Sequence, residues 1–425
     1  AVETALIFVG LVLLAFGQQH QIIGDGLARY QALTDLMQQR HLSEMPYSLI
    51  GPIFAAPLWA IGQLRGDPQG WTVYYNVLLF TLALGALHLL LRDRMDRHLL
   101  RRFLLILVAG SMIAPHVLDF YGEVFTATTV GVGLLAATLP GTGPLTRAAG
   151  WVGVVLGVAN TPASLVGLGL VAVVLAVRRR RLRYLLVLPV TAALIMGEAW
   201  LRHGDPFHSS YLGNSGGPTV MPYSGLPGFS YPFLLGVLAI LFSFGKGLVW
   251  FVPGLFLPVR RRLRAAAGPA AEDLWSIWLL WTAFVVGLVL VYARWWAWYG
   301  GMYWGPRFFL IAILPASLAL ALWLAPTRSD PPRLVGSLVT LGVLVLAVWG
   351  AADSLVYGQL WPWKCYENNY YLEGLCHFTL EYSSLWYPFV VNPELNPTQR
   401  MALLFYGVVL LWLAVPLLIR IGRQV

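Results

Sequence analysis

Charge is the scarcest thing in this chain. Only 11% of its 425 residues are Asp, Glu, Lys or Arg, against roughly a quarter in a soluble globular protein. With 58% hydrophobic residues and a mean hydropathy of +0.69, that shortfall excludes a soluble globular domain. Strict alternation of apolar and polar residues is missing too: runs such as VGLGLVAVVLAV are apolar throughout, which excludes a β-barrel. No internal repeat, low-complexity tract or soluble domain boundary interrupts the sequence. The HExxH signature of zinc peptidases is absent as well. What remains is an all-α polytopic membrane protein, a single transmembrane domain over residues 1–425.

The net charge of +9 does not point to nucleic acid. Its basic residues fall in short clusters between apolar runs, RDRMDRHLLRR (92–102), RRRRLR (178–183) and RRRLR (260–264). That is the pattern of cytoplasmic loops under the positive-inside rule. Placing all three inside gives about 12 transmembrane spans: 4–19, 71–91, 103–117, 123–140, 150–162, 163–177, 184–201, 246–259, 273–293, 308–325, 334–350 and 401–419. Residues 4–16 then form a retained helix rather than a signal peptide, and a start Met is expected ahead of Ala1. The segment 48–62 carries Pro52 and Pro57, which disfavour a lipid-exposed helix. With the amphipathic stretch 26–42 it is expected to lie as interfacial helices. The inner side then holds 19 of the 28 basic residues and 6 of the 19 acidic ones. Three outer loops are long: 20–70, 202–245 and 351–400. Long loops gathered on one side usually carry function.

The first of them, GDGLARYQALTDLMQQRHLSEMPYSLIGP, places Asp25 just beyond the first span. Its simplest role is to cap a helix starting at Gly26. Its alternative role is chemical, because partial desolvation raises a carboxylate's pKa and makes it a better base. Arg29 and Asp35 read as a solvated face. In APHVLDFYGEVF, Asp119 and Glu123 are four apart and would share a helix face. They are either wetted interfacial acids or a second acid beside Asp25, able to hold a divalent cation or a sugar hydroxyl.

Further on, Arg294 and Arg307 bracket WWAWYGGMYWGP, with Trp298, Tyr303 and Trp304 among its aromatics. An interfacial aromatic belt accounts for the rings. It does not account for two arginines on the outer side, whose guanidinium groups suit a phosphate while the rings suit a sugar face. Lys246, alone in LFSFGKGLVWFVP, either snorkels or joins that phosphate site. The 202–245 loop is Gly/Pro/Ser-rich and reads as flexible. His203, Asp205 and His208 lack a third strong ligand, so no metal site is read there. Cys365 and Cys376, in KCYENNYYLEGLCHF, either pair in a disulfide or stay free; the stretch reads as a cap.

The order of these parts resembles bacterial GT-C glycosyltransferases, the group of protein O-mannosyltransferases and aminoarabinose transferases. The likeness rests on one short span, an outward acid, Tyr30, an amphipathic helix and a proline-containing interfacial segment. The later stretches LFSFGKGLVWFVPGLFL and YGGMYWGPRFFLIAILP add to it. The resemblance implies an enzyme of the bacterial plasma (inner) membrane, active on its periplasmic face. It would transfer a sugar from a polyprenyl-phosphate donor to a lipid, glycan or protein acceptor in an inverting single displacement. Asp25 matches the family's catalytic base. Arg294, Arg307 and Lys246 would meet the donor phosphate, and Tyr30, Trp298, Tyr303 and Trp304 the sugar or acceptor. The resemblance fixes no cofactor, a divalent cation is admitted, and no nucleotide sugar is required. Gly26 stands where many relatives have a second acid, and Tyr75 and Asn76 stand where an Arg often opens the second span. The rival classes are a lipid-linked-glycan flippase and a non-catalytic membrane subunit.

Overall fold

A computed structural model describes residues 1–209, 211, 213–325, 333–358, 365 and 367–424. Part of the expected 351–400 cap, residues 359–364 and 366, lies outside the described residues, as do 210 and 212 of the 202–245 loop. Among the described residues the fold is helical. The exception is an isolated parallel bridge between Gln21 and Asp119. Among the described residues, seven helices are long and apolar enough to cross a membrane: Pro68–Leu91, Pro162–Arg179, Leu182–His203, Ala271–Tyr292, Arg307–Leu324, Leu334–Val356 and Pro397–Gly422. Val2–Phe16, Glu123–Thr138 and Phe233–Phe242 are apolar but shorter.

Spacing explains how these helices pack. Ala271–Tyr292 buries Leu274, Ile277, Trp281, Phe284, Leu288 and Tyr292, three or four residues apart, so one stripe faces its neighbours. Arg307–Leu324 is buried on nearly every side and forms the centre of the bundle. Leu182–His203 is the opposite case. Of its α-helical part, Val187–His203, only Thr191 is buried, which leaves it at the periphery. One apolar core cluster runs from Leu14 to Leu417.

Two expected spans are not continuous helices. Instead of a span over 246–259, the chain forms Phe233–Phe242, breaks, and resumes as Leu248–Phe251 and the 3₁₀ turn Pro253–Phe256. The expected flexible loop 202–245 therefore ends in an apolar helix. The break is locked by Lys246 turning inward, and Pro253 prevents regular continuation. Likewise 103–117 divides into Arg97–Ala109 and Ala114–Leu118. The helix then stops at Asp119, in extended conformation, and a new one opens at Glu123. Asp119 and Glu123 thus do not share a helix face. In the first loop, helices Gly24–Gln39, Ile50–Ile53 and Ala56–Arg65 form where the amphipathic stretch 26–42 and the proline-containing segment 48–62 were expected to lie as interfacial helices.

The basic clusters gather at one end. Arg101 and Arg102 pair with Glu3 at 3.1 and 3.3 Å, and Arg94 with Asp273 at 3.2 Å. Arg179 reaches the Thr138 carbonyl, and Arg262 lies over Trp323. Asp25, Asp119, Arg307 and the cysteines occupy the other end.

Candidate functional site

The Asp25 end is assembled from the first loop outward. Helix Gly24–Gln39 buries Gly26, Arg29, Ala32 and Leu33 on one face. Arg29 is thereby not solvated, as its position had implied. Its guanidinium donates to the Ser48 carbonyl at 3.3 Å and lies 4.8 Å from the Tyr47 ring centre. Gly26 sits so close to the Phe120 backbone that a Cβ would lie 3.2 Å from it, so a second acid at that position would meet main chain. The peptide 43–49 is clamped from Leu182–His203. Glu198 accepts from the Ser48 hydroxyl and the Leu49 N–H, both at 2.7 Å. Arg202 donates to the carbonyls of Ser43 and Tyr47, at 2.8 and 2.7 Å, and to that of Met45.

This clamp presents Tyr47 to Asp25. The helix begins at Gly24, so Asp25 lies inside its first turn and makes no capping bond, a correction to the capping role. Its carboxylate instead accepts from the Tyr47 hydroxyl at 2.7 Å and pairs with Arg307 at 2.7 Å. Arg307 opens the central helix and also reaches Glu123 at 3.6 Å. Its guanidinium lies 4.9 Å from the Tyr121 ring centre and 5.3 Å from that of Phe308, a cation–π setting. Asp119 accepts from the Tyr303 hydroxyl at 2.8 Å.

These groups face a cavity of about 540 Å³ at this end of the bundle, lined by Asp25, Asp119, Tyr121, Gly300–Trp304 and Arg307, with Gln18, Gln19 and Gln21 completing the lining. Two carboxylates, one guanidinium and several aromatic edges in one hollow can hold an anionic group beside a polyhydroxylated one.

The electrostatics differ from what desolvation alone implied. Burial pushes the Asp25 carboxyl upward, but Arg307, the Tyr47 hydroxyl and Arg29 together hold it below the usual range. The expectation of a raised Asp25 is therefore corrected, because these partners together outweigh partial burial. Asp119 has no such contact, and burial raises it to about 6 despite the Tyr303 hydrogen bond.

Of the sequence-derived site residues, the structure brings together Asp25, Asp119, Arg307, Tyr303 and Trp304 around the cavity, with Glu123 behind Arg307. It does not bring Lys246 there. The Lys246 ammonium is 4% exposed and donates to the carbonyls of Gly301 and Gly305, each at 3.2 Å, and to that of Tyr303. It holds the 300–305 loop from behind, where Gly300 and Gly301 take φ of +80° and +74°. Arg294 donates to the Phe229 carbonyl at 3.1 Å, away from the cavity. Tyr30 packs against the apolar cluster of the first loop, and Trp298 lines a different pocket. Cys365 and Cys376 are bonded, with sulfurs 2.08 Å apart.

Sequence reasoning missed Tyr47, Tyr121, Glu198, Arg202 and Asp353. Asp353 is wholly buried near the C-terminal end of Leu334–Val356 and accepts from the Trp304 indole at 2.6 Å. A lone Asp in an apolar run was a usable signal; the tyrosines offered none, because aromatics abound here. Among the described residues, no three His, Cys, Asp or Glu side chains group closely enough to hold a metal ion. Compared with family models, curated proteins and solved structures, the chain matches none.

Proposed function

We propose that this protein is a GT-C-type glycosyltransferase with about 12 spans, counting broken ones, in the bacterial plasma membrane. It takes a sugar from a polyprenyl-phosphate donor and passes it to a glycan, lipid or protein acceptor on the non-cytoplasmic face. The observation that carries this reading is the meeting of Asp25 and Arg307. They lie 282 residues apart in sequence and 2.7 Å apart on the wall of one large cavity. The basic clusters at the far end support a cytoplasmic position for that end.

In the reaction, the acceptor hydroxyl gives its proton to Asp25 while its oxygen attacks the anomeric carbon. The bond from that carbon to the phosphate oxygen breaks, and its electron pair leaves with the polyprenyl phosphate. Arg307 neutralises the charge growing on the leaving oxygen, in surroundings that screen it poorly. The same guanidinium holds Asp25 in a weakly basic state. A donor phosphate that draws Arg307 toward itself therefore restores the basicity that burial favours. Donor binding thus precedes proton abstraction.

The test is transfer of labelled sugar from a panel of polyprenyl-phosphate monosaccharides to envelope acceptors by purified protein in lipid nanodiscs. Asp25→Asn should lower turnover by about a thousandfold while donor binding persists. Undiminished turnover in that variant refutes the assignment.

A further inference from the structure

A second pocket lies outside the Asp25 cavity, under the disulfide-closed segment. It is enclosed by Trp296, Trp298, Tyr231 and Tyr299, with Glu373 and His377 at its polar side, and measures about 40 Å³. One admitted water takes roughly 10–15 Å³ on this measure, so the recess accepts two or three hydroxyl-sized groups and no complete ring. Tyr299 borders this pocket and Gly300 the larger cavity, so the two hollows are neighbours across one turn of chain.

His377 sets the chemistry of the recess. It is 3% exposed, and neither ring nitrogen has a hydrogen-bond partner among the described residues. Burial first, and the Lys246 charge second, hold its pKa well below the ordinary value, so the ring is neutral and offers one donor and one acceptor. Glu373 accepts from the Tyr299 hydroxyl at 2.5 Å. Its charge and that of Lys246 act on each other. A cation entering the recess meets Lys246 nearby, and an anion meets Glu373. The site therefore favours a neutral ligand that both gives and receives hydrogen bonds. The aromatic walls favour one with an apolar face beside its hydroxyls. Vicinal hydroxyls on a pyranose combine these properties, with one edge in the recess and the ring across the mouth.

We propose that this pocket is a second carbohydrate-binding site, taking the diol edge of a neutral sugar beside His377 and Glu373. The proposal does not depend on the transferase reading, because it concerns binding alone.

Methyl hexopyranosides are the probes, titrated against full-length protein in nanodiscs and followed by tryptophan fluorescence and saturation-transfer NMR. Wild type should bind saturably. His377→Leu should weaken binding by about tenfold. His377→Gln, which restores a donor and an acceptor, should recover part of it, and this recovery separates lost recognition from lost folding. Asp25→Asn should bind as wild type does, whatever its effect on transfer. The proposal is overturned by the absence of saturable binding in wild type, or by unchanged affinity in His377→Leu. Dependence of the binding on Asp25, or equal competition by choline or inorganic phosphate, overturns it too.

Discussion

Arg307 shows how one side chain can decide the character of another. Burial pushes Asp25 upward, and Arg307, together with Tyr47 and Arg29, brings the same group below its usual range. Asp119, lining the same cavity without a cation in contact, goes the other way, to about 6. The difference makes a pH prediction. A carboxyl whose folded pKa exceeds its unfolded value near 4 binds its proton more tightly in the native state. Its contribution to stability is therefore full below about pH 4 and lost as pH rises through about 6. Thermal melts of wild type and Asp119→Asn should show wild type losing ground to the variant across that window, by up to about 3 kcal/mol. Parallel pH profiles for the two proteins count against the raised carboxyl. The candidacy of Asp25 and Arg307 was legible in the sequence, because charge is so rare that each outer charged residue stands out. Their pairing was not legible. Contact across 282 positions depends on how the helices pack, and periodicity within one helix says nothing of it.

At the scale of elements, the 300–305 loop is held in place by a buried ammonium. Three carbonyls converge on Lys246, and Lys246→Met leaves them without that donor. The expected cost is about 2 kcal/mol, read as a lowered unfolding midpoint. Sequence reasoning treated Lys246 as a cation facing lipid or phosphate, since a single Lys at a span's edge gives no sign of folding inward. The cap closed by Cys365 and Cys376 encloses few residues, their sequence separation being 11. Replacing both with Ser should cost about 3 kcal/mol on the chain-entropy account, checked by thermal melts with and without reductant. Boundaries of regular helices were mostly legible from apolar runs. Breaks at 110–113 and 243–247 were not, although glycines stand in both, because the backbone turns there to suit buried polar partners.

For the whole molecule, the separation of charges was the most legible feature. Basic clusters scattered along the chain meet at one end, and the acids and aromatics of the long loops meet at the other. Single cysteines introduced at exposed Gln39 and Arg181, in a Cys365→Ser/Cys376→Ser background, should react with an impermeant thiol reagent from opposite sides of sealed vesicles. Labelling of both from one side would overturn the sidedness. The number of crossings was less legible, since short and broken helices cross only with help from their neighbours and composition does not reveal that help.

The clamp made by Glu198 and Arg202 carries a mechanical implication. It fastens the peptide bearing Tyr47 to a peripheral helix that buries little of its length against protein. Such a helix takes its tilt largely from the surrounding lipid, and hydrocarbon thickness alters tilt. Longer or shorter acyl chains thus tug on the phenol that contacts Asp25, and lipid composition becomes one of the settings of the carboxylate.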